Sequence, residues 1–203
     1  MLLDRSRVKK WQKWVFGFMA VVMVGFLVMI PLSGNLACGG NSAEDEIAED
    51  IAEYELALEA DPKDVVALRG LADTYVVRAN QQATGSDAQL ADWHMAAELY
   101  EKAAAVLAKQ KGTEARQEEA AMLEQLVDVH LFVGEYAEAA GVFAQITSLR
   151  PDDAQAYFDW ANVAINAGDT KTAALAFKKY LELDPDSPEA AEVRDWIKQN
   201  AAK

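Results

Sequence analysis

Pro151 and Pro185 stand 34 residues apart, and the residues leading to the second repeat those leading to the first. When Ala120–Pro151 is laid over Ala154–Pro185, Gly134 falls on Gly168, Ala139 on Ala173 and Phe143 on Phe177. The ends superpose as well, Leu149-Arg150-Pro151 on Leu183-Asp184-Pro185. Counted from the start of each unit, positions 4, 7 and 8 are Leu123, Leu126 and Val127, then Tyr157, Trp160 and Ala161. That spacing is one face of a helix. Gly134 and Gly168 sit where a first helix would end in a left-handed cap. Arg150-Pro151 and Asp184-Pro185 stop a second helix, because the residue before proline avoids the helical region. One such pair cannot bury its apolar face alone, so a helical period of this length implies a stack of units.

A third, stretched unit lies upstream. From Val65, positions 4, 7, 8 and 11 are Leu68, Leu71, Ala72 and Tyr75. Its second helix reads Ala96, Tyr100, Ala103, but Ala96 comes 12 residues later than the period allows. The excess falls in an insertion, residues 79–92, whose start, Ala79–Asp87, is loop-like in composition. Nine further residues separate this unit from Ala120. Before Pro62, Tyr54 and Ala57 fit a second helix without its first, and Ser187–Ala202 reads as an amphipathic capping helix.

This pattern resembles the tetratricopeptide repeat (TPR) over roughly residues 47–200. The resemblance implies an all-α fold, a right-handed superhelical solenoid of antiparallel helix pairs, preceded here by one transmembrane helix. Its parts would be a partial repeat at 47–62, repeats at 65–108, 120–151 and 154–185, and a cap at 187–202. Small residues at positions 8 and 20 (Ala72, Ala161, Ala96, Ala139, Ala173) would let paired helices approach closely. Aromatics at position 24 (Tyr100, Phe143, Phe177) would wedge between units.

The amino-terminal part has a different composition. Val15–Leu32 is a run of 18 residues, apolar or glycine up to its closing Pro31 and Leu32, and long enough to span a bilayer. Arg5, Arg7, Lys9, Lys10 and Lys13 precede it, with Asp4 as the one acid; beyond it no cation occurs until Lys63. The positive-inside rule places residues 1–14 in the cytoplasm as a basic segment and the repeat domain across the membrane. Trp11 and Trp14 suit the aromatic belt of the cytoplasmic interface. Residues 15–32 then form a signal-anchor, residues 33–46 a flexible tether, and residues 47–203 the repeat domain. The run exceeds the apolar region of a cleavable signal, which favours a retained single-pass cell-membrane anchor. Two alternatives remain open. Leu36-Ala37-Cys38-Gly39 resembles a bacterial lipobox, with Cys38 as the lipidated residue, although Asn35 stands where that pattern wants an aliphatic; ordinary cleavage near Ala37 is the other. As the lone cysteine, Cys38 permits no intramolecular disulfide.

Charge excludes some partners. The chain has 19 basic and 33 acidic residues, and residues 41–203 hold 14 and 32 of them, a net charge of −18. Such a domain repels phosphate backbones, so nucleic acid is not an expected partner. Either this charge serves solubility alone or it draws basic partners. Catalysis finds no footing: His94 and His130 lack metal-ligand spacing, and no phosphate-binding glycine loop or nucleophile elbow occurs. His130 takes the position of Tyr75 and reads as a packing residue, while His94 reads as a surface residue at a helix start. No enzyme activity, cofactor or metal is expected.

The resemblance also implies where partners would bind. In that family the inner face is built from positions 2, 5, 9, 12 and 13 of each first helix. Here these are Val66, Arg69, Asp73, Val76 and Val77; then Ala121, Glu124, Asp128, Leu131 and Phe132; then Gln155, Phe158, Asn162, Ile165 and Asn166. The cations with which some relatives clamp a carboxylate are missing, since Asp73 and Asp128 hold position 9 and Phe158 replaces a cation. The expected groove is apolar and acidic, suited to a protein or peptide with apolar anchors and a few Lys or Arg. The other reading is that this face packs on the chain's own Ala79–Asp92 insertion or is unused. The whole describes a membrane-tethered, extracytoplasmic protein-interaction scaffold of a bacterial envelope. Alternatives are a lipidated envelope assembly factor, or a structural subunit whose membrane helix packs in a larger complex through Gly17 and Gly25.

Overall fold

The computed structural model describes residues 43–200. The expected basic segment 1–14, the anchor 15–32, Cys38 and most of the tether lie outside the described residues. Among the described residues no helix is long and apolar enough to cross a membrane.

Eight helices run through the described residues, without strands: α1 Ala43–Ala60, α2 Val65–Gln81, α3 Asp87–Leu107, α4 Thr113–Val133, α5 Tyr136–Leu149, α6 Ala154–Asn166, α7 Thr170–Leu183 and α8 Ala190–Asn200. The substantial contacts join consecutive helices, from α1 on α2 through to α7 on α8. Three helix pairs, α2/α3, α4/α5 and α6/α7, thus stand between a lone α1 and a closing α8, as the repeat spacing requires.

The local signals act as their chemistry dictates. Gly134 and Gly168 adopt φ of 87° and 77°, the left-handed region where a side chain would be strained. Helices α1, α5 and α7 each end two residues before a proline, Pro62, Pro151 and Pro185. Asp64, Asp153 and Asp169 cap α2, α6 and α7 by accepting from Val66, Ala156 and Thr172 backbone N–H groups at 2.9, 3.2 and 2.9 Å. Each such cap satisfies an otherwise orphaned donor and contributes about 1 kcal/mol.

The irregular stretches are more helical than composition suggests. The insertion is a loop only over residues 82–86; the rest lengthens α2 and α3. A polar network holds this hairpin. Asp92, buried, accepts from Arg78 Nε at 2.8 Å, Arg78 Nη2 at 2.6 Å and Gln82 Nε2 at 2.8 Å. Gln89 Nε2 donates to the Ala79 carbonyl at 3.0 Å, while Gln89 Oε1 accepts from Gly85 N at 2.8 Å. Arg78 also lies 4.7 Å over the Tyr75 ring. The nine-residue spacer is likewise mostly helix, because α4 starts at Thr113 rather than Ala120 and buries Ala115. At the front, α1 begins at Ala43, inside the expected tether, with Glu44, Asp45 and Glu46 favourably placed at its positive end. At the back, Ser187–Glu189 precede α8, which starts at Ala190 rather than Ser187.

The core falls into two clusters. One joins α2–α5 around Tyr100, Leu107, Leu123 and Ile146; the other joins α6–α8 around Ala161, Phe177, Tyr180 and Val193. Helix α6 serves both, lending Ala156 and Val163 to the first and Ala161 to the second. The cap is held by aromatic contact, Trp196 meeting Phe177 edge-on at 5.2 Å. The three wedges are unequal. Tyr100 and Phe177 are buried, but Phe143 is only half-buried, correcting the expectation of three equivalent wedges. Phe177→Ala should therefore cost about 3–5 kcal/mol, the usual range for a buried phenylalanine, and Phe143→Ala distinctly less. Thermal melts of the two variants check this, and equal losses would mean that Phe143 is as deeply packed as Phe177.

Candidate protein-binding groove

The first helices α2, α4 and α6 carry the residues expected to face inward. On α2, Val66 and Val77 are 76% and 48% exposed, large apolar surface for a water-facing position. Val76, one residue before Val77, packs on the core. Arg69 pairs with Asp73 at 3.6 Å, one helical turn apart. Asp73 also accepts a hydrogen bond from the Tyr100 hydroxyl at 2.5 Å. That bond and, first of all, burial push the Tyr100 hydroxyl above its ordinary range.

On α4, Leu131 packs on the core, but Phe132 stays 66% exposed. Phe132 stacks on Trp93 of α3, ring centres 4.6 Å apart, and Trp93 is buried with no partner for its indole N–H. Trp93, the residue after the insertion, thus covers one face of Phe132. Glu124 pairs with Arg150 at the end of α5. Asp128 is exposed and makes no hydrogen bond or ion pair within the protein; its carboxyl is raised above the ordinary range by partial burial and then by the charge of Glu124.

On α6, Phe158 turns into the stack, 5.0 Å from the Tyr180 ring and 5.8 Å from that of Phe177. Ile165 packs on the same cluster. Asn162 donates to the Phe158 carbonyl at 3.0 Å, a bond within its own helix. The two candidate aromatic anchors therefore engage different helices: Phe132 rests on α3, Phe158 on α7.

Glu124 and Asp128 do come together, around a cavity of about 270 Å³ between α4, α5 and α6. Val127, Phe143, Ile146 and Ala156 supply its apolar lining, and Asp153, Gln155 and Asp159 complete it. Asp159 accepts from Gln155 Nε2 at 2.9 Å, yet burial and the nearby Asp153 keep its carboxyl raised. Sequence reasoning missed Asp153, Asp159 and Phe143 as lining residues. In the sequence Phe143 reads as a wedge and the two acids have no assigned role, and only a gap in packing reveals them. A separate hollow of about 800 Å³ lies beside the start of α4, where Lys111, Arg116 and Arg150 gather.

His94 is exposed, as expected, and His130 is largely covered, but neither sits quite as the sequence suggests. His94 is eight residues into α3, not at its start, because α3 begins at Asp87. Both rings turn toward Glu135: His130 Nδ1 lies 2.8 Å and His94 Nδ1 3.9 Å from its carboxylate oxygens. Among the described residues no group of three His, Cys, Asp or Glu side chains is arranged to hold a metal ion.

Residues 124–188 match the sequence profile of the Tetratricopeptide repeat family. Those residues, from mid-α4 past the end of α7, carry the tetratricopeptide repeat. Among solved structures, the chain is similar to one described as "MamA MSR-1 C2", with 18% identity and a TM-score of 0.48 over 78% of this chain and 80% of that one. It is similar to another described as "Crystal structure of MamA", with 18% identity and a TM-score of 0.44 over 79% of this chain and 94% of that one. A third, "Crystal structure of APC/C hetero-tetramer Cut9-Hcn1", has 15% identity and a TM-score of 0.41 over 77% of this chain and 40% of that one. No curated protein sequence matches.

The raised Asp128 carboxyl has a signed consequence. A carboxyl whose folded pKa is raised weakens the fold at neutral pH, and the penalty vanishes once pH falls below its unfolded value. Because water screens this exposed group, Asp128→Asn should raise the melting temperature only slightly at pH 7 and leave it unchanged near pH 3, measured by circular dichroism. A variant that melts lower than the parent at pH 7 would show that Asp128 has a stabilising partner.

Proposed function

We propose that this chain is a protein-interaction scaffold, tethered to a membrane by residues 15–32 and presenting its repeat domain on the extracytoplasmic side. One observation carries the binding reading: three of the exposed large apolar side chains, Val66, Val77 and Phe132, stand at inward positions of the first helices α2 and α4. Leaving that surface in water forgoes roughly 1.5–3 kcal/mol for each large side chain, a cost that a partner would remove. Glu124, Asp128, Asp153 and Asp159 close by favour a basic partner and would raise its association rate. The tether rests on sequence alone, on the apolar run and the cations before it.

The groove residues act in two ways in this reading. Val66, Val77 and Phe132 give apolar contact, while Val76 and Leu131 pack on one core cluster and Phe158 and Ile165 on the other. Arg69, Asp73, Glu124, Asp128 and Asn162 set the polarity. A soluble domain starting at Asn41 should capture an envelope protein; Phe132→Ser should abolish the capture while Leu175→Ser, on α7, does not. Leu175 is 58% exposed, so it controls for general stickiness. Capture insensitive to Phe132→Ser would move the binding surface elsewhere.

A second reading is favoured by Leu36-Ala37-Cys38-Gly39 alone: a lipoprotein whose mature chain starts at Cys38. Mass spectrometry of the mature amino terminus separates the two. An intact segment 1–32, membrane retention after carbonate washing and a repeat domain open to protease in spheroplasts are expected for the anchor. An acylated Cys38 would replace the anchor, and protection of the repeat domain would reverse its orientation.

A further inference from the structure

The three helix pairs settle the same inward position differently. In the first, Tyr100 reaches from α3 to Asp73 on α2, its hydroxyl donating at 2.5 Å. In the third, the equivalent residues are Phe177 and Asn162; the amide is neutral and is satisfied by the Phe158 carbonyl at 3.0 Å. In the second they are Phe143 and Asp128. Phenylalanine has no hydroxyl to give, and Asp128, which is exposed, has water rather than a protein donor. Where Tyr100 closes its pair, Phe143 and Asp128 line an open cavity of about 270 Å³.

We propose that this cavity between α4, α5 and α6 receives one long cationic side chain, arginine or lysine, from a partner segment lying in the groove. The proposal rests on the groove reading above and names the chemistry of one contact within it. Charge complementarity selects the occupant. Four carboxylates, Glu124, Asp128, Asp153 and Asp159, border the space. Three are engaged: Glu124 by Arg150, Asp153 by the Ala156 N–H and Asp159 by Gln155. Asp128 alone lacks a partner within the protein. An anionic side chain would add repulsion, and a neutral one would leave the net negative charge of the site uncompensated. A short apolar side chain would fill the floor and desolvate the carboxylates further.

The lining fits the rest of such a side chain. Val127, Ile146 and Ala156 suit a methylene stem, which buries readily while its charged head stays among acceptors. The half-open Phe143 ring suits the cation's approach to an aromatic face. The carboxyls of Asp128 and Asp159 are raised first by burial and then by neighbouring carboxylates, and a cation beside them would lower both. Position 8 contributes too. Val127 stands where the other pairs have Ala72 and Ala161.

The test uses the full-length chain in detergent micelles, with the methyl groups of Ile146 and Ala156 followed by NMR. The probes are N-acetyl-arginine amide, its neutral isostere N-acetyl-citrulline amide, and N-acetyl-norleucine amide. The arginine probe should give saturable shifts, with the neutral probes weaker by about tenfold or more, as the loss of a charge-assisted contact implies. Phe143→Tyr recreates the Tyr100–Asp73 arrangement, so it should abolish arginine binding while keeping or raising the melting temperature. Asp128→Asn should weaken it about fivefold or more without filling the cavity. Equal shifts from arginine and citrulline, no shifts at all, or Phe143→Tyr binding as the parent does would each overturn the proposal. If the probes fail while partner capture still depends on Phe132, the cavity is wrong and the groove stands; if capture is also indifferent to Phe132, both fall.

Discussion

The contact on which everything else depends is between alanines. Ala72, Ala96, Ala139, Ala161 and Ala173 are all 0% exposed and sit where paired helices come together. Only a methyl group at these points lets two backbones approach closely enough for flanking leucines and aromatics to interlock at crystal-like density. A larger side chain would hold the helices apart and loosen each layer above and below. The wedges Tyr100 and Phe177 are buried because the alanines bring their helices within reach. The sites of interest follow from that frame. Where position 8 is Val127 and the wedge is half-open Phe143, the packing leaves a hollow, and acidic side chains border it.

Variation between units, rather than the repeat itself, carries the chemistry. A strictly repeated array would satisfy every inward polar group in the same manner. Here Asp73 has a tyrosine hydroxyl, Asn162 has its own backbone, and Asp128 has neither. The buried Arg78–Asp92–Gln82 network is also peculiar to one unit. It ties the lengthened ends of α2 and α3 together beside the stacked pair Trp93 and Phe132. Removing one partner of a buried, hydrogen-bonded charge leaves the other unpaired, which is costly. The stretched hairpin is thus a built feature rather than a slack loop.

Helix number, the glycine caps and the proline stops were legible in the sequence because they are local and recur at a fixed period. The small residues at the crossings were legible for the same reason. The limits of the insertion were not. Ala79–Asp87 has a loop's composition, but Ser86 and Gln89 form a helix-start pattern, serine followed three residues on by glutamine, and that signal was there to be found. The nine-residue spacer misled similarly, since measuring from the repeat register starts the unit at Ala120 and hides the helical turns before it. Of the candidate site, exposure of Phe132 and Val77 followed from position in the unit. The turning of Phe158 into the stack did not, because the choice between groove and core depends on what α7 offers, here Phe177 and Tyr180. The cavity was beyond the sequence altogether, as a gap is a property of neighbours and not of any one residue.

Among the described residues the substantial contacts run from each helix to the next in sequence. Such a chain pays little loop-closure entropy before its first favourable contacts form, so it should collapse quickly and without a long search. It also has no single keystone. Stability is close to a sum over neighbouring interfaces, so opening can start at either end and advance one helix at a time. Helix α1, which buries only Ile47 fully, is the easiest place to begin. Under tension applied through residues before Ala43, the array would therefore pay out length in steps, as a graded extensible link between whatever holds the two ends.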